Sequence, residues 1–98
     1  MASSAINKQI PTIKKLQKTS ALTTAAAGAT GSIEFDFSEL LGREIVNIIC
    51  MPAHWGITRV MCMCGTFDST SGKVAAHWYA TQAFNDSSNS IVVAVYYI

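Results

Sequence analysis

From residue 31 onward, hydrophobic and polar positions alternate along most of this chain with the period of two that is typical of β-strands. In the first run, Ile33, Phe35 and Phe37 are separated by acidic side chains, so the predicted strand has one apolar face and one polar face. Further runs rich in apolar residues follow, separated by short loops and polar turns, at residues 43–51, 57–67, 73–84 and 91–98. The pattern predicts an all-β domain.

The predicted domain spans residues 31–98 and has no convincing helix. Short connections between its strands indicate an antiparallel β-sandwich or small barrel of about five to seven strands, ordered largely as a meander. Alternation does not decide between two stacked sheets and one closed sheet. The polar tract at residues 68–72 ends in a glycine and is typical of a hairpin loop.

Residues 1–30 have a different pattern and predict an extended or partly helical N-terminal arm. Four apolar residues recur at helical spacing, namely Ile6, Ile10, Ile13 and Leu16. Pro11 limits a helix to residues 11–18, because proline is tolerated only in the first turn. Residues 21–32 are small and flexible, and they are expected to form a linker or strap.

Charge divides the chain at the same place. The arm has four lysines and no acidic residue, whereas the remainder has three basic and six acidic residues. Opposite charges favour docking of the arm on another copy or on a different acidic surface, although a solubilising tail is the alternative. The expected anchor comprises the apolar stripe and its neighbouring lysines: Ile6, Lys8, Ile10, Ile13, Lys14, Lys15, Leu16 and Lys18.

The domain has more apolar surface than a single thin sheet in water needs. Residues 57–67 and 91–98 carry apolar side chains on both predicted faces. A domain this small is marginal on its own core, and association is a common supplement when disulfides are absent. We therefore expect a homo-oligomer, with these interface candidates: Ile57, Met61, Met63, Phe67, Val93, Val95 and Tyr97.

Catalytic, metal and cofactor sites are not expected. Two histidines, His54 and His77, lie in no local catalytic signature, and Cys62 and Cys64 lack the spacing that structural zinc sites prefer. The three cysteines are expected to be reduced and buried as small apolar side chains. The chain shows no signal peptide and no apolar run of about 20 residues, so we expect synthesis in the cytoplasm and no membrane insertion.

A small carbohydrate- or single-stranded nucleic-acid-binding module is the alternative function. Its candidate ligand-binding side chains are His54, Trp55, Trp78 and Tyr79, because exposed rings near loops stack on sugars or bases. The competing interpretation is that the tryptophans fill the core. The acidic excess of residues 31–98 also opposes binding of a polyanion.

The chain resembles the small β-sandwich modules of tailed bacteriophages, which occur in head fibres, capsid decoration proteins and tail-fibre tips. The resemblance covers residues 31–98 and lies in a strand entry, a polar hairpin and a final apolar strand: residues 31–37, 67–72 and 90–97. It implies a homotrimer in the virion, anchored to a larger assembly through the N-terminal segment, with a host glycan as a further partner. The chain is short for a fibre and has no repeat shaft, which favours a capsid-bound or tip module.

Overall fold

A computed structural model describes residues 12–54, 56 and 58–98. These residues form six β-strands and one short 3-10 helix, Ser38–Leu40. The strands are β1 (Lys14–Leu22), β2 (Thr30–Asp36), β3 (Ile45–Ala53), β4 (Val60–Cys64), β5 (Lys73–Ala80) and β6 (Asn89–Tyr97). They make two three-stranded antiparallel sheets that stack as a sandwich. The predicted fold class is confirmed, and the sandwich is selected over the barrel.

The strand order differs from the predicted meander. The first sheet has the order β1-β6-β3 and the second has the order β2-β5-β4. Only β4 and β5 are neighbours both in sequence and in a sheet. The prediction of a meander is therefore wrong. The connection between β4 and β5 stays within one sheet, and every other connection takes the chain from one sheet to the other. The apolar faces of the two sheets pack together as a result.

The core lies between the two sheets and is built from alternate residues of the central strands. From β5 it takes Val74, Ala76 and Ala80, which are all fully buried, as the alternation in residues 73–84 predicts. The other sheet contributes Ile91, Val93 and Val95 from β6, also with no exposed surface. Phe37 and Leu40 close one end of this core from the segment after β2.

The prediction of an N-terminal arm over residues 1–30 is wrong for Lys14–Leu22, and residues 1–11 lie outside the described residues. Lys14–Leu22 forms β1, which pairs with β6 over its whole length from Lys14–Tyr97 to Leu22–Asn89. The predicted helix at residues 11–18 is therefore wrong, and the sandwich begins well before the predicted boundary at residue 31. Lysine and leucine have good helix propensity, but pairing with an apolar central strand overrides it.

β6 is covered on both faces. Val93 and Val95 face the core and have no exposed surface, so they cannot form an interface between subunits, and that prediction is corrected. On the outer face, Val92 and Ala94 remain only 8% and 3% exposed. They are shielded within their own sheet by the neighbouring outward side chains of β1 and β3, the strands on either side of β6. Two-sided apolar character in β6 thus marks a central strand.

The loop between β4 and β5 fixes the start of β5. Asp68 accepts hydrogen bonds from the backbone of Thr70 and Ser71, and Gly72 adopts a left-handed φ of 76°. The Gly72 carbonyl accepts a hydrogen bond from the Phe37 amide at 2.8 Å. This glycine therefore ends the polar turn as predicted and also packs directly against the segment that follows β2.

Candidate interaction surface

The largest exposed apolar side chains lie on the outer face of the second sheet. Met61 and Met63 on β4 are 63% and 71% exposed, and Tyr79 on β5 is 47% exposed. Cross-strand register places Met61 opposite Tyr79 and Met63 opposite His77. We call these four residues the methionine face. Alternation of β4 puts Cys62 and Cys64 on the other side, toward the core, as the sequence predicts.

The methionine face surrounds a shallow groove of about 330 Å³ on the surface of β4 and β5. Its apolar part lies on β4, which is an edge strand of the sheet. On the other flank, β2 places Thr30 opposite Tyr79 and Ser32 opposite His77. The outer face therefore changes from polar at β2 to apolar at the β4 edge, where a partner strand or sheet has room to approach.

Two other predicted interface residues, Phe67 and Tyr97, do not join the methionine face. Phe67 and Tyr97 are half-buried and pack against the core. The Arg43 guanidinium also lies over the Tyr97 ring, 5.6 Å from its centre. Ile57 lies outside the described residues. Of the six candidates that the structure describes, Met61 and Met63 alone form a continuous exposed surface.

A second apolar patch, on the outer face of the first sheet, was missed by sequence reasoning. Ile49 and Met51 on β3 are 39% and 46% exposed. They lie beside Ala94 and Val92, respectively, on β6. The signal was the uninterrupted apolar run around Cys50, but alternation within such a run does not identify which face is outside.

The predicted anchor residues divide into three groups. Ile6, Lys8 and Ile10 lie outside the described residues. Ile13, Lys14 and Lys15 are exposed at the start of β1. Leu16 packs against the core and Lys18 is half-buried, so both are corrected from docking residues to parts of the sandwich.

Lys18 connects β1 to the segment that follows β2. Its Nζ donates to Glu39 Oε1 at 2.8 Å and to the Asp36 carbonyl oxygen, and it lies 5.2 Å from the centre of the Phe37 ring. The hydrogen bond from Lys18 lowers the pKa of Glu39. The lysine is thus an internal structural contact, and its charge is already paired.

Among the described ligand-binding candidates, Trp78 and Tyr79 both border the groove on β4 and β5, but their side chains lie on opposite faces of the sheet. Trp78 faces inward, and its ring lies so close to Gly31 that a Cβ there would approach the ring to 2.5 Å. Tyr79, the next residue, faces outward. Trp55 lies outside the described residues. Trp78 is therefore a core residue and not an exposed ligand-binding ring, because Gly31 has no side chain and leaves space for the Trp78 ring.

His54 is held in a hydrogen-bonded loop contact. The Gly56 amide donates to its Nδ1 at 2.8 Å, so the neutral ring carries its proton on Nε2, which lies 2.8 Å from Ser88 Oγ. Ser88 Oγ in turn donates to Asp86 Oδ1, and this bond lowers the pKa of Asp86. This arrangement does not activate Ser88 as a nucleophile. The serine hydroxyl donates its proton to the Asp86 carboxylate, and the serine oxygen accepts a hydrogen bond from the His54 ring.

The three cysteines lie between the sheets as half-buried free thiols. Within residues 12–54, 56 and 58–98, no group of three or more His, Cys, Asp or Glu side chains is arranged to hold a metal ion. The same part of the chain contains no helix that is long and apolar enough to cross a membrane.

Comparison with known proteins gives no relative: no family model, no curated protein and no solved structure matches this chain.

Proposed function

We propose that this chain is a non-enzymatic structural protein that self-associates as part of a phage particle, in a head fibre, a capsid decoration or a fibre tip. The observation that carries the proposal is the methionine face. Two methionines more than 60% exposed, side by side on an edge strand, present apolar surface that a monomer leaves in contact with water. Burial against another copy removes that surface from water and stabilises the assembly.

Self-association through this face fits its chemistry. Methionine is flexible and polarisable, so it adapts to a partner surface without exact shape complementarity. Tyr79 adds a rigid ring with a polar tip, a residue type enriched at interfaces. His77 and the hydroxyl side chains of β2 supply a polar rim beside the apolar part. A trimer is favoured by the resemblance to phage modules.

Attachment to a larger assembly falls to the N-terminal segment. Lys14 and Lys15 are exposed at the start of β1, and Lys8 precedes them in the sequence. Residues 31–98 carry an excess of acidic side chains. A basic segment that precedes residues with an acidic excess is suited to an acidic docking surface on a neighbouring protein.

Charge substitution on the methionine face tests the proposal. We expect wild-type protein to sediment as an oligomer and Met63→Glu to sediment as a monomer, because a buried carboxylate without a partner opposes association. Met51→Glu is the matched control: it makes the same change at an exposed methionine on the opposite sheet. If the oligomer survives Met63→Glu and dissociates with Met51→Glu, the interface lies on the first sheet and the proposed interface is wrong. A monomeric wild-type protein would contradict self-association.

Deletion of residues 1–11 tests attachment separately. Because β1 belongs to the sandwich, the deletion must stop before Lys14. We expect the shortened chain to fold and oligomerise but to be lost from particles. Retention of the shortened chain in particles at the wild-type level would contradict an anchor within residues 1–11.

A glycan- or nucleic-acid-binding module is the second candidate, and the exposed Tyr79 beside the groove favours it. A sugar or base stacked on this ring would lie over the methionine face. Binding on a glycan array or to single-stranded DNA that disappears in Tyr79→Ala would support this function. Binding unaffected by that change would remove the groove as its site.

A further inference from the structure

Three thiols meet at one side of the sandwich. Cys50 lies on β3, the edge strand of the first sheet, and Cys62 and Cys64 lie on β4, the edge strand of the second. Cys50 shares the core-facing side of its sheet with Val93, its partner on β6. The two β4 cysteines face the core beside Trp78 and Ala76 of β5. The thiols thus approach one another across the gap between the sheets.

Cys50 is the centre of this group. Its thiol is within hydrogen-bonding reach of both Cys62 and Cys64. The two β4 cysteines are two residues apart on one strand, so their Cα atoms are separated by about 6.8 Å, at the upper limit for a disulfide. Cys50, by contrast, reaches either of them from the opposing sheet.

We propose that this group is an oxidative cross-linking site, at which Cys50 forms a disulfide with Cys62 or Cys64 and joins the two sheets covalently. The co-reactant is a small-molecule disulfide such as glutathione disulfide. One protein thiolate attacks it, forms a mixed disulfide and releases one glutathione; the second protein thiolate then displaces the other glutathione. The protein gains one S–S bond and loses two hydrogen atoms, and the oxidant is reduced to two thiols. The third cysteine remains a thiol.

The location gives the bond a structural effect. β3 and β4 belong to different sheets, so no ladder of backbone hydrogen bonds joins them. A disulfide here would close a loop of about 15 residues and reduce the entropy of the unfolded chain. For a domain of this size, the expected rise in Tm is on the order of 10 °C.

The surroundings slow the oxidation of the site. Burial raises the pKa of all three thiols, and that of Cys64 rises to about 11. Since the thiolate is the reacting form, the exchange is slow at neutral pH and faster at alkaline pH. The three side chains are nevertheless only half-buried, which leaves a small oxidant a route to them. This inference does not depend on the proposed function.

The experiment uses full-length protein purified with reductant, then transferred to glutathione disulfide at mildly alkaline pH. Intact mass, alkylation of remaining thiols, peptide mapping and Tm are measured. We expect a loss of two hydrogen atoms per chain, one alkylated cysteine in place of three, a peptide linking Cys50 to Cys62 or Cys64, and a higher Tm than the reduced protein. The Cys62→Ala and Cys64→Ala variants should each still form a link through Cys50.

Cys50→Ala should retain two alkylatable thiols after oxidation. Peptide mapping of the wild type supplies the same assignment if that variant does not fold. Three thiols that stay reduced, a stable glutathione adduct, a bond between two chains, or a Tm lowered by oxidation would each overturn the proposal. An equal loss of hydrogen in Cys50→Ala would overturn it as well, since Cys62 and Cys64 would then be the reacting pair.

Discussion

Lys18 and Glu39 connect β1 to the 3-10 helix after β2 through an ion pair of 2.8 Å between Nζ and Oε1. β1 and β3 are the two edge strands of the first sheet. The sandwich is therefore bridged at one edge by a lysine, and at the other edge the free thiol of Cys50 lies between the sheets. The lysine side chain is 34% exposed, and its stem passes over Phe37, so it contributes by packing as well as by charge.

Replacement of Lys18 measures this bridge. We expect Lys18→Met to lower Tm by a few degrees, because the methionine keeps the packing stem and removes the charge and its hydrogen bonds. Lys15→Met is the control, since Lys15 is exposed on the outer side of the same strand and should leave Tm almost unchanged. Equal Tm values for the two variants, measured by thermal unfolding, would show that the ion pair contributes nothing measurable.

Acid should weaken the fold through the loop carboxylates. The pKa of Asp68 is lowered first by the hydrogen bond from the Thr70 backbone, and that of Asp36 by the one from Ser38. As the pH falls, a carboxyl group with a lowered pKa in the folded state is protonated in the unfolded chain before it is protonated in the folded one. The stability that it contributes is therefore present above its unfolded-state pKa and is lost as the pH falls through its folded-state pKa. Urea unfolding should therefore show stability falling below about pH 4.

Asp68→Asn isolates one contribution to that pH dependence. The asparagine oxygen can still accept from Thr70 and Ser71, but it has no proton to bind in this range. We expect the variant to lose stability less steeply in acid than the wild type. An unchanged slope in the same urea experiment would mean that Asp68 has the same pKa in the folded and unfolded chains.

Two glycines allow backbone strain to be separated from steric contact. Gly42 and Gly72 both have a left-handed φ, of 83° and 76°. A Cβ at Gly42 has no neighbour within 4 Å, whereas one at Gly72 would lie 2.5 Å from the Cα of Ser38. We expect Gly42→Ala to cost about 1 kcal/mol of unfolding free energy and Gly72→Ala to cost at least about 1 kcal/mol more.

Chemical denaturation of the two variants measures this difference. Equal costs would show that the segment after β2 moves away from the turn without loss, and that the contact between Gly72 and Ser38 does not hold the end of the sandwich.

Alkaline pH should destabilise the reduced protein. The pKa of Cys64 is raised by burial from 9.0 to about 11, so the thiol form is favoured in the folded state. The stability linked to this group is complete below the ordinary value and is lost as the pH rises toward 11. Unfolding of reduced wild type and Cys64→Ala across this range should show a smaller pH dependence in the variant.

The strands that could be predicted from the sequence are those with one wet face and one dry face. Alternation located β2 and β5, and it placed Met61 and Met63 opposite Cys62 and Cys64. It failed for β1, because the inward positions of that strand include Lys18 and Ser20 as well as leucines. A half-polar inner face has no period-2 signal, and the apolar spacing from Ile6 to Leu16 favoured a helix instead.

Two features could not be predicted from local sequence patterns: which strands pair, and what buries the two faces of β6. Both depend on the folded chain as a whole. An apolar run such as 91–95 indicates burial on both faces, but the source of that burial can be a partner subunit or flanking strands of the same sheet. Here β1 and β3 provide it, which corrects Val93 and Val95. The methionine face and the patch at Ile49 and Met51 remain exposed. The inter-sheet meeting of Cys50 with the β4 cysteines likewise requires the stacking of β3 on β4.

The mass of the full-length, reduced protein in solution tests the central claim most directly. Sedimentation equilibrium at micromolar concentration should give a multiple of the 10.5 kDa chain mass, with three copies favoured, and Met63→Glu should return the mass to that of one chain. A wild-type protein that stays at 10.5 kDa while Met61, Met63 and Tyr79 remain exposed would contradict a function built on self-association.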